Sequence, residues 1–145
     1  MGRSSSSMQL TRAADYAVRV MVHLATLPAS ERSLLPALAR ATSTPASFLS
    51  KVLQALCRAG FIASRRGQAG GFEILDPGRQ ASIRQVIEAI DGPICLNLCL
   101  TSGASCSRKS YCPAHPIWFK AQEAMLAVLD GATVAELAGQ TVALR

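Results

Sequence analysis

Four cysteines fall within eighteen residues, Cys95, Cys99, Cys106 and Cys112, and His115 follows three positions after the last. Thiolate and imidazole are the donors that soft and borderline metals prefer, so one loop holding this set points to metal chemistry. Structural zinc takes ligand pairs about two to four residues apart. Cys95 with Cys99, and Cys112 with His115, meet that condition; the middle intervals of six and five residues do not make two knuckles. An iron–sulfur cluster is larger and accepts thiolates from a looser loop. Thiol–disulfide sensing, reversible metal sensing and cysteines with no shared role also remain open. Cys57 stands apart beside Leu56 and is expected to be a half-buried structural thiol.

The chain around this loop has 145 residues, half of them apolar and only 5% aromatic, which suits one domain packed mainly by Leu, Val, Ile and Ala. No apolar stretch approaches the roughly 18 residues of a membrane span, so no membrane partner is expected. Residues 2–7 are polar and no apolar core follows, so no secretion signal is read there. Five cysteines, an odd number, do not suggest a secreted disulfide scaffold. A cytoplasmic protein is the expectation. Nothing predicts catalysis: there is no nucleophile with a paired base, no phosphate-binding loop and no obvious carboxylate pair.

The net charge of +6 is unevenly placed. Residues 1–84 carry eleven basic and four acidic side chains, whereas residues 85–145 carry four and five. An anionic partner docking on the first part, most often nucleic acid, fits that asymmetry.

The elements follow from periodicity and stop signals. Residues 1–7, with a four-serine run, are expected to be a disordered N-terminal extension. A helix starts near Ala13 with Thr11 as N-cap and ends before Pro28; a short second helix covers Leu34 to Ala41. Thr42-Ser43-Thr44-Pro45 supplies capping hydroxyls and a first-turn proline for a third helix, about Pro45 to Ala59. Its Leu49, Val52, Leu53 and Leu56 form one face, while Ser47, Lys51, Gln54 and Arg58 project from the other with Ser50 at the edge. Gly60 closes it. Phe61–Ser64 and Phe72–Leu75 then read as two strands around a glycine-rich basic turn.

Three helices and such a hairpin make a winged helix-turn-helix. The third helix is assigned to the major groove, through Ser47, Ser50, Lys51 and Gln54, and the wing's Arg65, Arg66 and Gly67 to phosphates or the minor groove. A helix from Ser82 to Asp91 stops at Gly92-Pro93. Pro113 opens a long helix, about Ala114 to Leu129, with an apolar face of Ile117, Trp118, Ala121, Ala124, Met125, Val128 and Leu129. Thr133 to Ala138 ends the chain's pattern with a short turn. The fold class is thus mainly α: a winged helix-turn-helix DNA-binding domain over residues 8–91, a cysteine-rich loop over 92–113, and a dimerisation helix with its tail over 114–145. Trp118, Met125 and Leu129 are the expected dimer contacts. A symmetric pair binds a palindromic site on double-stranded DNA, because one winged helix reads few base pairs.

The segments Leu10–Arg19, Ser47–Leu53, Ala59–Ile62 and Arg66–Phe72 resemble the Rrf-two family of bacterial winged-helix transcription regulators, which has IscR-, NsrR- and RirA-like branches. The resemblance runs from about Met8 to Ala138. It implies a homodimer with a long crossing helix and an iron–sulfur cluster in the loop before that helix. Cys106 and Cys112 match the family's second and third cluster cysteines, and Cys99 best matches the first. The family often has five residues between its first two cysteines where this chain has six, so Cys95 is an alternative first ligand. For the fourth ligand, His115 matches the histidine of IscR-like members with a 2Fe–2S cluster. Asp15 matches the aspartate that NsrR-like members donate across the dimer to a 4Fe–4S cluster. The function implied is a sequence-specific DNA-binding regulator, a repressor or activator, switched by its cluster in response to nitric oxide, redox or iron status. The alternative is a zinc-stabilised or thiol-redox winged-helix protein without a cluster, acting as regulator or adaptor.

Overall fold

The computed structural model describes residues 10–67, 70–96, 100 and 112–143. The expected extension 1–7 lies outside them, as do Cys99 and Cys106. Among the described residues, seven helices and one hairpin follow in order: α1 Arg12–Thr26, α2 Leu35–Thr42, α3 Ala46–Arg58, β1 Ile62–Arg65, β2 Gly71–Ile74, α4 Asp76–Gln80, α5 Ile83–Asp91, α6 His115–Asp130 and α7 Val134–Ala143.

Helix α1 is the hub. Its Ala17, Val20, Met21 and Leu24 are buried against Leu38 of α2, Leu49, Val52, Leu53 and Leu56 of α3, Ile62, Val86 and Val134. Thr11 caps it as expected, its Oγ1 accepting from the Ala14 N–H at 3.1 Å. The α2–α3 turn departs from expectation. Pro45 is the N-cap of α3 and no side chain caps that end. The hydroxyls look inward instead: Thr42 Oγ1 donates to the Leu38 carbonyl at 2.7 Å and lies 2.9 Å from Thr44 Oγ1. Both threonines are buried, so their oxygens are satisfied within the turn and fix the angle between the two helices. Helix α3 closes at Gly60, where the N–H of Gly60 meets the Cys57 carbonyl and that of Phe61 meets the Leu56 carbonyl.

The strands pair antiparallel, Ile62 with Ile74 through Arg65 with Gly71. Each is displaced by one residue from the sequence expectation. Ser33 joins as a third edge, exchanging two 2.9 Å backbone bonds with Phe72. That approach needs Gly71: its φ is +121°, and a Cβ there would meet the Ser33 carbonyl.

Helix α5 starts with a full capping box between Ser82 and Gln85. The proline in the first turn of α6 is Pro116, not Pro113, because the helix begins at His115. Helix α7 is longer than its short expected turn and lies against α1 and α4. A bridge between Ser82 and Thr133, flanked by Ile83 N–H to Ala132 O and Val134 N–H to Ala81 O, joins the start of α5 to the α6–α7 turn. Among the described residues, no helix is long and apolar enough to cross a membrane.

Candidate nucleic-acid interface and cysteine loop

Burying Leu49, Val52, Leu53 and Leu56 turns the other side of α3 outward, and Ser47, Ser50, Lys51, Gln54 and Arg58 are all exposed there. Arg65, Arg66 and Gly67 are exposed at the wing. A cleft of about 350 Å³ runs between these two surfaces, lined by Ser50, Gln54, Cys57 and Arg58 of α3 and by Ser64 and Phe72 of the wing. Cys57 is half-buried, and desolvation pushes its thiol above the ordinary range, which suits a structural role. Gly67 has φ +94° with open space around it, so it gives the wing tip its left-handed bend without crowding.

The two wing arginines differ in their surroundings. Arg65 Nε donates to Glu73 Oε1 at 2.7 Å, and Arg32 Nε stands 3.8 Å from the same oxygen. Neither Glu73 nor Arg32 is marked by a motif in the sequence. Alternation offered a signal for Glu73, since Phe72 and Ile74 turn toward the body and the residue between them turns out.

The cysteine loop is hung between α5 and α6. Its first residues are tied at two points: the Ile94 N–H donates to Glu88 Oε2 at 3.0 Å, and the Leu96 N–H to Gln122 Oε1 at 2.8 Å. Cys95, between them, is half-buried, with its thiol 3.9 Å from the Leu100 carbonyl. The chain returns at half-buried Cys112, whose carbonyl accepts the His115 N–H at 3.2 Å as α6 begins. Cys112 and His115 are therefore neighbours in space, whereas Leu96 is moored seven residues farther along α6. At about 1.5 Å per residue that is on the order of 10 Å. No motif marks Gln122 in the sequence; it lies one turn before Leu126, and these two are the buried positions of α6.

Glu88 also faces Arg84, whose Nε lies 3.4 Å away, and Arg84 reaches Asp130 Oδ2 at 2.9 Å. Ser82 Oγ donates to the other Asp130 oxygen at 3.0 Å. This chain of polar contacts links the loop, the body of α5 and the end of α6. The hydrogen bond from Arg84 holds the Asp130 carboxyl below its ordinary range, with desolvation opposing and Ser82 assisting. Asp15 lies in the first turn of α1, its Oδ2 2.7 Å from an Arg19 nitrogen. Arg19 also donates to the Thr42 carbonyl and lies over the Tyr16 ring, which meets Phe48 of α3 edge-on.

Helix α6 carries a bare apolar surface. Ile117 is 58% and Val128 75% exposed, and with Ala121 and Ala124 they recur at intervals of four and three along one stripe. Trp118 is also exposed, while Met125 and Leu129 are half-buried at the margin of the face that packs inward.

The sequence profile described as Rrf2, iron-dependent transcriptional regulator, matches residues 10–140. The chain belongs to the Rrf2 family. An HTH-type regulator of Geobacillus kaustophilus, NsrR, is 31% identical over 139 residues, 95% of either chain. Among solved structures, the Bacillus subtilis global cysteine regulator CymR is similar with a TM-score of 0.73 at 21% identity, covering 92% of this chain and 98% of that one. IscR of T. potens is similar with a TM-score of 0.73 at 19% identity, covering 95% and 91%. These structures have the same winged-helix fold. As an Rrf2 regulator the chain acts in transcription through DNA, and it is not an enzyme.

Proposed function

We propose that this Rrf2 protein is a homodimeric regulator whose hold on a palindromic operator is set by an iron–sulfur cluster in its 92–113 loop. The mooring of that loop carries the proposal. Ile94 and Leu96 bind it to α5 and α6, and Cys112 and His115 end it at the N-terminus of α6. A ligand in such a loop acts on both the DNA-reading body and the helix with the bare apolar stripe.

The donor set fits the group. Cys99, Cys106 and Cys112 supply thiolates, and His115, or Asp15 of the partner subunit, supplies the fourth position. Cys95 fits less well as first ligand. Its neighbour Leu96 is fixed beside Gln122, seven residues along α6 from His115, and Cys99 better matches the first cluster cysteine of the family. His115 is favoured over Asp15 because it begins α6 beside Cys112 in the same short segment and needs no partner subunit. When bound, a cluster supplies sensitivity to nitric oxide, oxygen and iron supply.

The protein's own residues convert loop order into geometry. Glu88 and Gln122 hold the loop, and Arg84 with Asp130 fixes the end of α6 to α5. The stripe around Ile117 and Val128, flanked by Trp118, Met125 and Leu129, meets its copy in the second subunit. Ser47, Ser50, Lys51 and Gln54 then face successive bases, while Arg65, Arg66 and Gly67 meet phosphates or the minor groove. A difference of about 1–3 kcal/mol between loop states changes operator affinity roughly 5- to 150-fold.

Anaerobic purification with iron and sulfide measured per protomer tests the cluster, and operator binding before and after nitric oxide tests the switch. A second reading draws on the similarity to CymR, a cysteine regulator: a colourless protein that holds zinc, or that regains DNA binding on thiol reduction alone.

A further inference from the structure

Between Glu31 and Asp76, the segment that contains α2, α3 and the wing, Glu73 is the only acidic residue among six basic ones. A carboxylate there works against phosphate binding unless its position has a use. Its side chain is only 13% exposed, covered on two sides by arginines. The backbone explains why. Ser33 pairs with Phe72 as a third edge, which brings Arg32 alongside Glu73. On the other side Arg65 is paired with Gly71, so no side chain stands between Arg65 and the diagonal residue, Glu73. Arg32, Glu73 and Arg65 thereby form a row across the outer face of the wing.

We propose that Glu73 is a positioning residue that gives the wing its DNA selectivity, an inference that rests on the wing's assignment to DNA. The Nε donor of Arg65 is taken by Glu73, and the Nη donors are the part of the guanidinium left for DNA. An arginine held by one edge presents the others in a fixed direction, and so engages only DNA whose groove brings an acceptor there. A released arginine follows any phosphate, because backbone contacts carry no sequence information.

The test compares Glu73→Ala and Glu73→Gln with the wild-type protein on two duplexes. One is enriched by the wild-type protein from a randomised pool, and the other is a scrambled duplex of equal composition. Glu73→Ala is expected to tighten binding to the scrambled duplex while binding the enriched one no better, lowering the affinity ratio about tenfold. The slope of log affinity against log salt for the scrambled duplex should steepen by about one phosphate contact. Glu73→Gln keeps an acceptor oxygen for Arg65 and should retain part of the ratio. It also serves if the alanine variant folds poorly. Adding Arg65→Ala to Glu73→Ala should give the ratio of Arg65→Ala alone, because the two residues act as one unit.

Equal tightening on both duplexes would make Glu73 a simple charge neutraliser and overturn the inference. So would an unchanged ratio, or effects of Glu73 and Arg65 that simply add. Failure of the wing's assignment to DNA has a different signature: Arg66→Ala then leaves both affinities unchanged.

Discussion

The backbone N–H of Leu96 donates to the buried side-chain oxygen of Gln122, tying the start of the cysteine loop to the middle of α6. Gln122 is 8% exposed, so deleting its side chain strands that amide without a ready solvent partner. Gln122→Ala should destabilise the metal-free protein by about 1–3 kcal/mol in urea unfolding. The reconstituted protein should also lose iron to a chelator faster than wild type. Gln122→Glu, which restores an acceptor oxygen, should recover much of both.

Acid should loosen the other end of this joint. The Asp130 carboxyl is lowered chiefly by the hydrogen bond from Arg84, so the folded state binds its proton more weakly than the unfolded chain. Its stabilisation is complete above the ordinary aspartate range and is lost as pH falls through the lowered folded value. The pair is largely exposed, so the effect should shrink in high salt. Asp130→Asn should remove this part of the acid sensitivity, read as a smaller drop in the urea midpoint between neutral pH and pH about 3.

Where local chemistry decides structure, these elements were legible in the sequence. Thr11 caps α1, Ser82 caps α5 and Gly60 closes α3, each satisfying helix-end groups within a few residues. Tertiary contacts decided the rest. Helix α4 was not expected because it has five residues including Pro77 and Gly78. Gly78 is buried where a Cβ would strike the Phe61 carbonyl and the Met21 methyl, so packing rather than propensity holds that turn. Helix α7 continues to Ala143 past Gly139 because Val134 and Ala138 are buried, with α7 lying along α1. The Thr42 and Thr44 hydroxyls face the core, a choice that the string of three hydroxyl residues does not reveal. The α3 face and the basic wing were plain from spacing. The contact of Gln122 with Leu96, 26 residues away, and that of Arg32 with Glu73 through the Ser33–Phe72 pairing are ones that periodicity does not register.

The proposed dimer surface can be separated from the chain's own core. Val128 is 75% exposed on the bare stripe, so Val128→Glu should leave the protomer folded yet prevent association, because an unpaired charge would be buried between subunits. Met125 is half-buried beside the inward face, so Met125→Glu should lower stability as well. Sedimentation and thermal unfolding of both variants check this. A Val128→Glu protein that stays dimeric removes the stripe from the interface.

The proposed ligand set predicts an unequal series of cysteine variants. Cys99→Ser, Cys106→Ser and Cys112→Ser should each abolish visible absorption after anaerobic preparation, since each true thiolate ligand is required. Cys57→Ser should keep it, and Cys95→Ser should keep most of it. His115→Ala should change the spectrum and remove any pH dependence of the reduction potential near neutrality. Asp15→Ala should do neither. If instead Asp15→Ala bleaches the protein and His115→Ala does not, the fourth ligand crosses the dimer. In that case Val128→Glu should bleach it too.

Control of DNA binding by a cluster in the loop is open to one decisive experiment. The most direct measurement follows one anaerobic sample, with iron and sulfide quantified per protomer, through binding to a duplex enriched from a randomised pool. Binding is measured before and after stoichiometric nitric oxide. Iron and sulfide present in equal amounts, visible absorption, and an affinity that shifts at least fivefold as the absorption bleaches are the expected result. Colourless protein, or bleaching that leaves the affinity unchanged, would contradict it.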